Sequence, residues 1–268
     1  MKIQCPAKIN LTLRVTGKRE DGFHNIESIM QTVSLYDYLT IDVESSETFE
    51  INLSGNNIEI PYNEKNLVYK AAKLFIENTS LMPHKINVYI DKNIPVAAGL
   101  AGGSTDAAGT LFGLNEIFDR PLTREGLHNL CAQLGSDLNF CLEGGKQMTS
   151  GRGEILEKLP FEELEISLIK PKNLGISAKE AYTKFSNKTK NNFKSEYGTK
   201  NEFVNDLEWA VIDDYAELKE IKNLYPKAIM SGSGSTYFGI NCSFGQKQDF
   251  WVANGLKTTQ NGICVINN

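Results

Sequence analysis

Apolar positions change period along the chain, and each change marks a new element. Over Lys2–Val15, Ile3, Cys5, Ile9, Leu11, Leu13 and Val15 alternate with polar neighbours, the two-residue period of a strand. Val33–Val43, Phe49–Leu53 and the β-branched run Ile86-Asn87-Val88-Tyr89-Ile90 predict three more strands. Asn66 is placed to cap a helix running through Ile76, with Val68, Ala71, Ala72 and Phe75 facing inward. After Ile90 the period becomes helical, with Ala107, Leu111, Leu114 and Phe118 on one face and Ser104 or Thr105 positioned as the cap. Thr123 predicts the start of another helix, carrying Leu127, Leu130, Cys131 and Leu134, and Gly135 its end.

The second half continues in the same mixed fashion. Leu164–Ile169 reads as a strand, Ile176–Tyr182 opens a helix, and helices follow around Glu202–Val211 and Asp214–Leu224. Ala228–Ile240 predicts strand, glycine–serine turn, strand; Gln246–Leu256 predicts a helix and Gly262–Val265 a final strand. Asn187–Lys200 is rich in Lys and Asn, lacks a period and predicts a surface loop. The glycine pairs Gly144-Gly145 and Gly151-Arg152-Gly153 mark a change of composition, which predicts two domains, 1–150 and 151–268. This mixture predicts an α+β protein.

Composition narrows the class. With 268 residues, 41% hydrophobic and 23% charged, the chain has the make-up of an ordinary soluble globular protein. Its net charge of −5 gives a nucleic-acid partner no global support, so any phosphate site must be built locally. No apolar run approaches the length of a membrane span, and Met1–Pro6 lacks the apolar core of a signal segment. The five cysteines (Cys5, Cys131, Cys141, Cys242, Cys264) show neither CxxC nor zinc spacing and predict reduced core residues of a cytoplasmic protein. No metal ligand set is legible, and a monomer or weak homodimer is expected.

The candidate chemistry lies in a few stretches. Pro95-Val96-Ala97-Ala98-Gly99-Leu100-Ala101-Gly102-Gly103-Ser104-Thr105 places three glycines and two hydroxyl residues between a strand and a helix. Such a junction offers backbone N–H groups and the positive end of a helix dipole to an oligophosphate. Its spacing matches neither G-x-x-x-x-G-K-[ST] nor G-x-G-x-x-G, so taken alone it predicts an unspecified anion site or merely a tight turn. Lys8 and Asn10 share the polar face of the first strand, where an isolated Lys is also an ordinary solvated residue. Asp21-Gly22-Phe23-His24 ends a polar turn on an aromatic–imidazole pair that a connector does not require. Asp137, between a helix-stopping glycine and an apolar run, reads either as a cap for the next turn or, beside a Lys and a phosphate site, as a general base. Ser231-Gly232-Ser233-Gly234 reads either as a hairpin turn or as a second backbone cradle for anions.

Four of these stretches, in this order, resemble the GHMP kinases, the group that includes galactokinase and the homoserine, mevalonate and phosphomevalonate kinases. Pro6-Ala7-Lys8-Ile9-Asn10-Leu11 with Gly17–His24 is similar to the opening of the branch that acts on a cytidine diphosphate-linked polyol. Pro95–Thr105 resembles the second family motif, Leu134–Gly145 the segment carrying the catalytic aspartate, and Met230–Thr236 the third, C-terminal glycine motif. The resemblance implies a two-domain α+β fold, with an N-terminal domain like the second domain of ribosomal protein S5 and a C-terminal domain closing a cleft. It implies transfer of the ATP γ-phosphoryl group to a tertiary hydroxyl, in isoprenoid precursor synthesis. In that reading Asp137 is the base and Lys8 stabilises developing charge. Asn66 and Pro95–Thr105 hold ATP, and Mg2+ bridges the phosphates with Ser104 or Thr105 as a hydroxyl ligand. Asn10, Ser177, Ser231, Gly232, Ser233 and Gly234 hold the acceptor, while Phe23 and Tyr182 sandwich cytosine and His24 bonds its edge.

Two departures stand out against the usual loop, Gly-Leu-Gly-Gly-Gly-Ser-Ser. Ala101 replaces a glycine, which calls for a negative φ there, and Thr105 replaces a serine. Phe23 stands where Tyr is common. The rival readings are weaker. A kinase of a base-free alcohol has no use for Phe23-His24, and a non-catalytic nucleotide sensor no need of Lys8 and Asp137. An RNA-binding protein would carry a basic, aromatic-interleaved patch.

Overall fold

The computed structural model describes residues 1–190 and 204–266. Its longest-range organiser is a pair of strands, β1 (Lys2–Lys18) and β2 (His24–Ser45), joined by the polar turn in which Asp21 Oδ1 accepts the Phe23 N–H at 3.1 Å. β2 is long enough to serve two neighbours. Its distal half pairs with β4 (His84–Asp91), which carries β3 (Glu50–Gly55) in parallel; its proximal half pairs with β5 (Lys146–Ser150), which carries β6 (Ile155–Lys158). With β11 (Cys264–Val265) on the outer side of β1, these make a seven-stranded sheet among the described residues. A second, antiparallel sheet has the order β10 (Phe250–Lys257), β7 (Glu165–Pro171), β9 (Tyr237–Ile240), β8 (Ile229–Met230). The β5–β6 hairpin crosses residue 150 and β11 returns to the first sheet, so the sheets divide the chain between Lys158 and Glu165.

The odd-numbered apolar residues of β1 feed three cores in succession. Ile3 and Cys5 pack with Leu39, Ile41 and Ile86 against α1 (Leu67–Glu77), α2 (Gly102–Ile117), α3 (Arg124–Leu134) and α4 (Leu138–Glu143). Ala7, Ile9 and Leu11 meet Ile166, Leu168 and Phe238 of the second sheet. Leu13 and Val15 join the core of α5 (Ala178–Thr189), α6 (Asp206–Val211) and α7 (Ala216–Leu224). Of the three irregularities in the β1–β2 register, those at Pro6/Ala7 and Asn10/Thr12 fall where β1 passes from one core to the next, and the third, at Val15/Gly17, lies near its end. Such breaks bend and twist a strand, which lets one strand serve three layers. The polar face left between them carries Lys8 and Asn10.

Asn66 and Thr123 cap α1 and α3 as their sequences predict, accepting the N–H groups of Val68 and Gly126. Three expectations are corrected. Gln246–Leu256 is not a helix: Phe250–Lys257 is an edge strand, with Phe250 opposite Pro171 and Val252 opposite Ile169. Its apolar residues fit either period over so short a stretch, and the aromatic and β-branched content of Phe250-Trp251-Val252 favours the sheet. Neither Ser104 nor Thr105 caps α2, which starts earlier, at Gly102. Cys242 is exposed and Cys264 half-buried, so only Cys5, Cys131 and Cys141 are core residues. Of the predicted 187–200 loop, residues 187–189 end α5 and 191–200 lie outside the described residues. No helix among the described residues is long and apolar enough to cross a membrane.

Candidate active site

A cleft of about 1000 Å³ opens where β1, the loop before α2, the start of α4, α5 and the β8–β9 turn converge. At its floor lies Lys8, only 3% exposed, beside Asn10 at 1%. A buried ammonium must find oxygen partners. Lys8 Nζ donates to Asn10 Oδ1 at 2.6 Å and to the Gly99 carbonyl at 3.2 Å, and pairs with Asp137 Oδ2 at 3.4 Å. Asn10 is itself oriented by Ser28, whose Oγ accepts from Asn10 Nδ2 at 2.8 Å. Asp137 occupies the N-cap position of α4, yet its carboxylate caps nothing. Its side chain is 30% exposed, open to the cleft and placed to take a proton there.

Two glycine segments interlock above Lys8. Gly99 has φ +73°, and a Cβ on it would run into the Ser231 carbonyl. Ser231 Oγ donates to the Gly99 carbonyl at 3.0 Å and accepts the Asn10 N–H at 3.3 Å. Ala101 is corrected: it sits at φ +59°, ψ +25°, in the left-handed region, where a negative angle was expected. That turn brings α2 in with no side-chain cap on its N-terminus, and Gly102, Gly103 and Ser104 face the cleft. First-turn N–H groups without partners are what a phosphate binds.

Beneath this loop is a charged cluster that no local pattern announces. Lys92 Nζ pairs with Asp37 and, at 3.0 Å, with Asp106; Asp37 also accepts the N–H groups of Asn93 and Ile94 at 2.6 and 2.8 Å. Burial pushes the Asp106 carboxyl well above the usual carboxylate range against the pull of Lys92, and its Oδ1 has no partner. These residues come from three separate segments, so only the fold shows that they meet.

At the other end, Phe23 is 51% exposed, with the Arg152 guanidinium carbon 5.0 Å from its ring centroid. His24 is 9% exposed, stacks on Tyr182 at 5.0 Å and 17°, and shares a 2.7 Å hydrogen bond between Nε2 and Ser186 Oγ. Burial, reinforced by Lys18, lowers its pKa, so the ring is neutral near pH 7. Phe23 and Tyr182 both face the cleft, the first against Arg152 and the second against His24. Ser177 caps α5 through the Glu180 N–H, and Asn66 caps α1 from the cleft wall; Gly232 and Ser233 also line the space.

Four expected site residues do not reach the cleft. Leu100 and Thr105 point into the protein at 1% and 0% exposure, Ser231 is buried behind Gly99, and Gly234 packs against Met230. Pro95–Gly99 and Ala101–Ser104 do reach it, with Arg152, Lys92, Asp106 and Ser186 as additions the sequence did not indicate. Among the described residues no group of three or more His, Cys, Asp or Glu could hold a metal ion.

Residues 66–145 match the GHMP kinases N terminal domain. The 4-diphosphocytidyl-2-C-methyl-D-erythritol kinase of Clostridium tetani is 40% identical over 259 residues, 90% of either chain. The chain belongs to this kinase family. The enzyme of the same name from Prochlorococcus marinus strain NATL1A is 39% identical over 83% of this chain and 71% of its own length. A solved 4-(cytidine 5'-diphospho)-2C-methyl-D-erythritol kinase superposes with a TM-score of 0.75 at 28% identity, covering 97% of this chain and all (100%) of that one. Homoserine kinase from Cytophaga hutchinsonii, at 15% identity and TM-score 0.70 over 99% of this chain and 97% of its own, shares the fold. The expected α+β GHMP kinase architecture and the phosphotransferase class are therefore those of this protein.

Proposed function

We propose that this protein transfers the γ-phosphoryl group of ATP to the 2-hydroxyl of 4-diphosphocytidyl-2-C-methyl-D-erythritol, with Asp137 as general base and Lys8 as charge stabiliser. The carrying observation is the Asp137 carboxylate, unused by its helix and 3.4 Å from a buried ammonium at the junction of two glycine segments. Phosphoryl transfer needs positioning, charge neutralisation and a group to accept the hydroxyl proton. The acceptor oxygen bonds to the γ-phosphorus as the bond to the ADP oxygen breaks, and its proton passes to Asp137 and then to solvent. Lys8, fixed by Asn10 and the Gly99 carbonyl, faces the charge growing on the transferred group.

The N-terminus of α2 supports the β- and γ-phosphates. Mg2+, when bound with ATP, neutralises phosphate charge; Ser104 is the hydroxyl this chain offers it in the cleft, with the unpartnered Asp106 Oδ1 close behind and Thr105 buried away. Phe23 and the His24-backed Tyr182 supply stacking surfaces for cytosine, and the neutral His24 ring reads its edge. The half before Lys158 carries the nucleotide loop together with Asn10, Phe23 and His24, and the half from Glu165 adds Ser177, Tyr182, Gly232 and Ser233 to the acceptor side. The reaction belongs to isoprenoid precursor synthesis, run by a cytoplasmic monomer or weak homodimer.

Asp137→Asn tests the chemistry. It should lower kcat by on the order of 10²-fold or more while leaving ATP affinity, read by titration calorimetry, within about twofold. An unchanged kcat removes Asp137 from the mechanism.

A further inference from the structure

Asn205 stands on the far side of the Ser231-Gly232 turn from Lys8. It is 7% exposed and caps α6, its Oδ1 accepting the N–H groups of Leu207 at 2.9 Å and Glu208 at 3.4 Å. Its Nδ2 donates to two carbonyls of the turn, Met230 at 2.6 Å and Gly232 at 2.8 Å. Both amide protons and the amide oxygen are thus committed, the full capacity of the side chain. Two donors from one rigid amide, on carbonyls two residues apart, fix the turn between them.

What the turn touches gives this clamp its consequence. Gly232 has φ +55°, and a Cβ there would lie 3.2 Å from Lys8 Nζ, 3.4 Å from Asn10 Oδ1 and 3.0 Å from the Gly99 carbonyl. Ser231, between the two clamped carbonyls, holds the Gly99 carbonyl and the Asn10 N–H. Lys8, Asn10 and the phosphate loop all bear on one short turn, and Asn205 holds that turn from behind. Helix α6 is tied to β1 by a separate contact, Asp206 Oδ2 accepting the Val15 N–H at 2.8 Å.

The geometry points to Asn205 as a positioning residue for phosphoryl transfer: through Nδ2 it sets the Ser231-Gly232 turn against which Lys8 and Gly99 are aligned. This rests on the function proposed above. A displacement of about 1 Å at reacting groups can cost on the order of 10²-fold in rate, so the effect belongs in kcat.

Asn205→Asp keeps the capping oxygen and sets against the Met230 and Gly232 carbonyls a carboxylate oxygen that they repel, so it releases the turn while leaving the α6 cap in place. Expected are a kcat at least about tenfold lower, KM values for ATP and acceptor within about threefold, and a lower Tm with cooperative unfolding retained. Asp206→Asn, which loosens the same helix without touching the turn, should keep wild-type kcat. The rate at which an amine-acylating reagent modifies Lys8, followed by mass spectrometry, should rise in Asn205→Asp and not in Asp206→Asn. Wild-type kcat in folded Asn205→Asp overturns the proposal, as does an equal loss in Asp206→Asn. If the wild-type protein does not turn over the cytidine substrate, the functional reading fails instead. Lys8 labelling then decides the Asn205 claim: a faster rate in Asn205→Asp upholds the alignment, and an unchanged rate overturns it.

Discussion

Placing an ammonium at 3% exposure costs several kcal/mol unless oxygens replace its water, and Lys8 has three: Asn10, Gly99 and Asp137. Asn10 and the Gly99 carbonyl are fixed parts of the fold, while the Asp137 carboxylate is 30% exposed at the cleft, which leaves it accessible to a bound hydroxyl. Glu143 shows the opposite use of a carboxylate. Hydrogen bonds from His128 and then Arg124, each at 2.7 Å, outweigh burial and hold its pKa down at about 2, against an ordinary 4.5. Because the folded value is the lower one, the native state gains stability above the ordinary value and loses it as pH falls toward 2. Tm measured from pH 6 to pH 2.5 should therefore fall more steeply in the wild type than in Glu143→Gln. Parallel curves would show that the cluster gives no pH-dependent stability.

Among the elements, α1 and α3 were legible down to their caps, because an Asn or Thr followed by a 3.6-residue apolar period leaves one consistent reading. Thr123 accepts the Gly126 N–H at 3.1 Å on an exposed cap, so Thr123→Ala should cost about 1 kcal/mol in urea unfolding with an unchanged m-value. A loss of a tenth of that would mean solvent satisfies the N–H equally well. The edge strand β10 is not legible in the sequence because a short apolar run carries no unique period, and pairing with β7 decides its form. The entry to α2 was misjudged for another reason. A left-handed turn ordinarily calls for glycine, yet Ala101 adopts one at φ +59°, held between a close-packed Gly99 turn and the helix.

Across the whole molecule, what was legible is what is written locally. The glycine loop at Pro95–Thr105, Lys8 with Asn10, Phe23-His24 and Asp137 are each picked out by a few adjacent residues, and the fold brings them to one cleft. The Lys92–Asp37–Asp106 cluster, Arg152 over Phe23 and the Asn205 clamp pair residues tens of positions apart, each ordinary in its own neighbourhood. Leu100, Thr105 and Ser231 belong to the right motifs but face inward: Leu100 fills a core with Ile94 and Ala98, Thr105 lies on the buried face of α2, and Ser231 is spent on the Gly99 carbonyl. The most direct test of the account is ADP release by the purified protein with Mg-ATP and 4-diphosphocytidyl-2-C-methyl-D-erythritol, run beside mevalonate, phosphomevalonate and homoserine. Turnover of the cytidine-linked substrate alone is expected; turnover of a base-free alcohol in its place would contradict the proposed function.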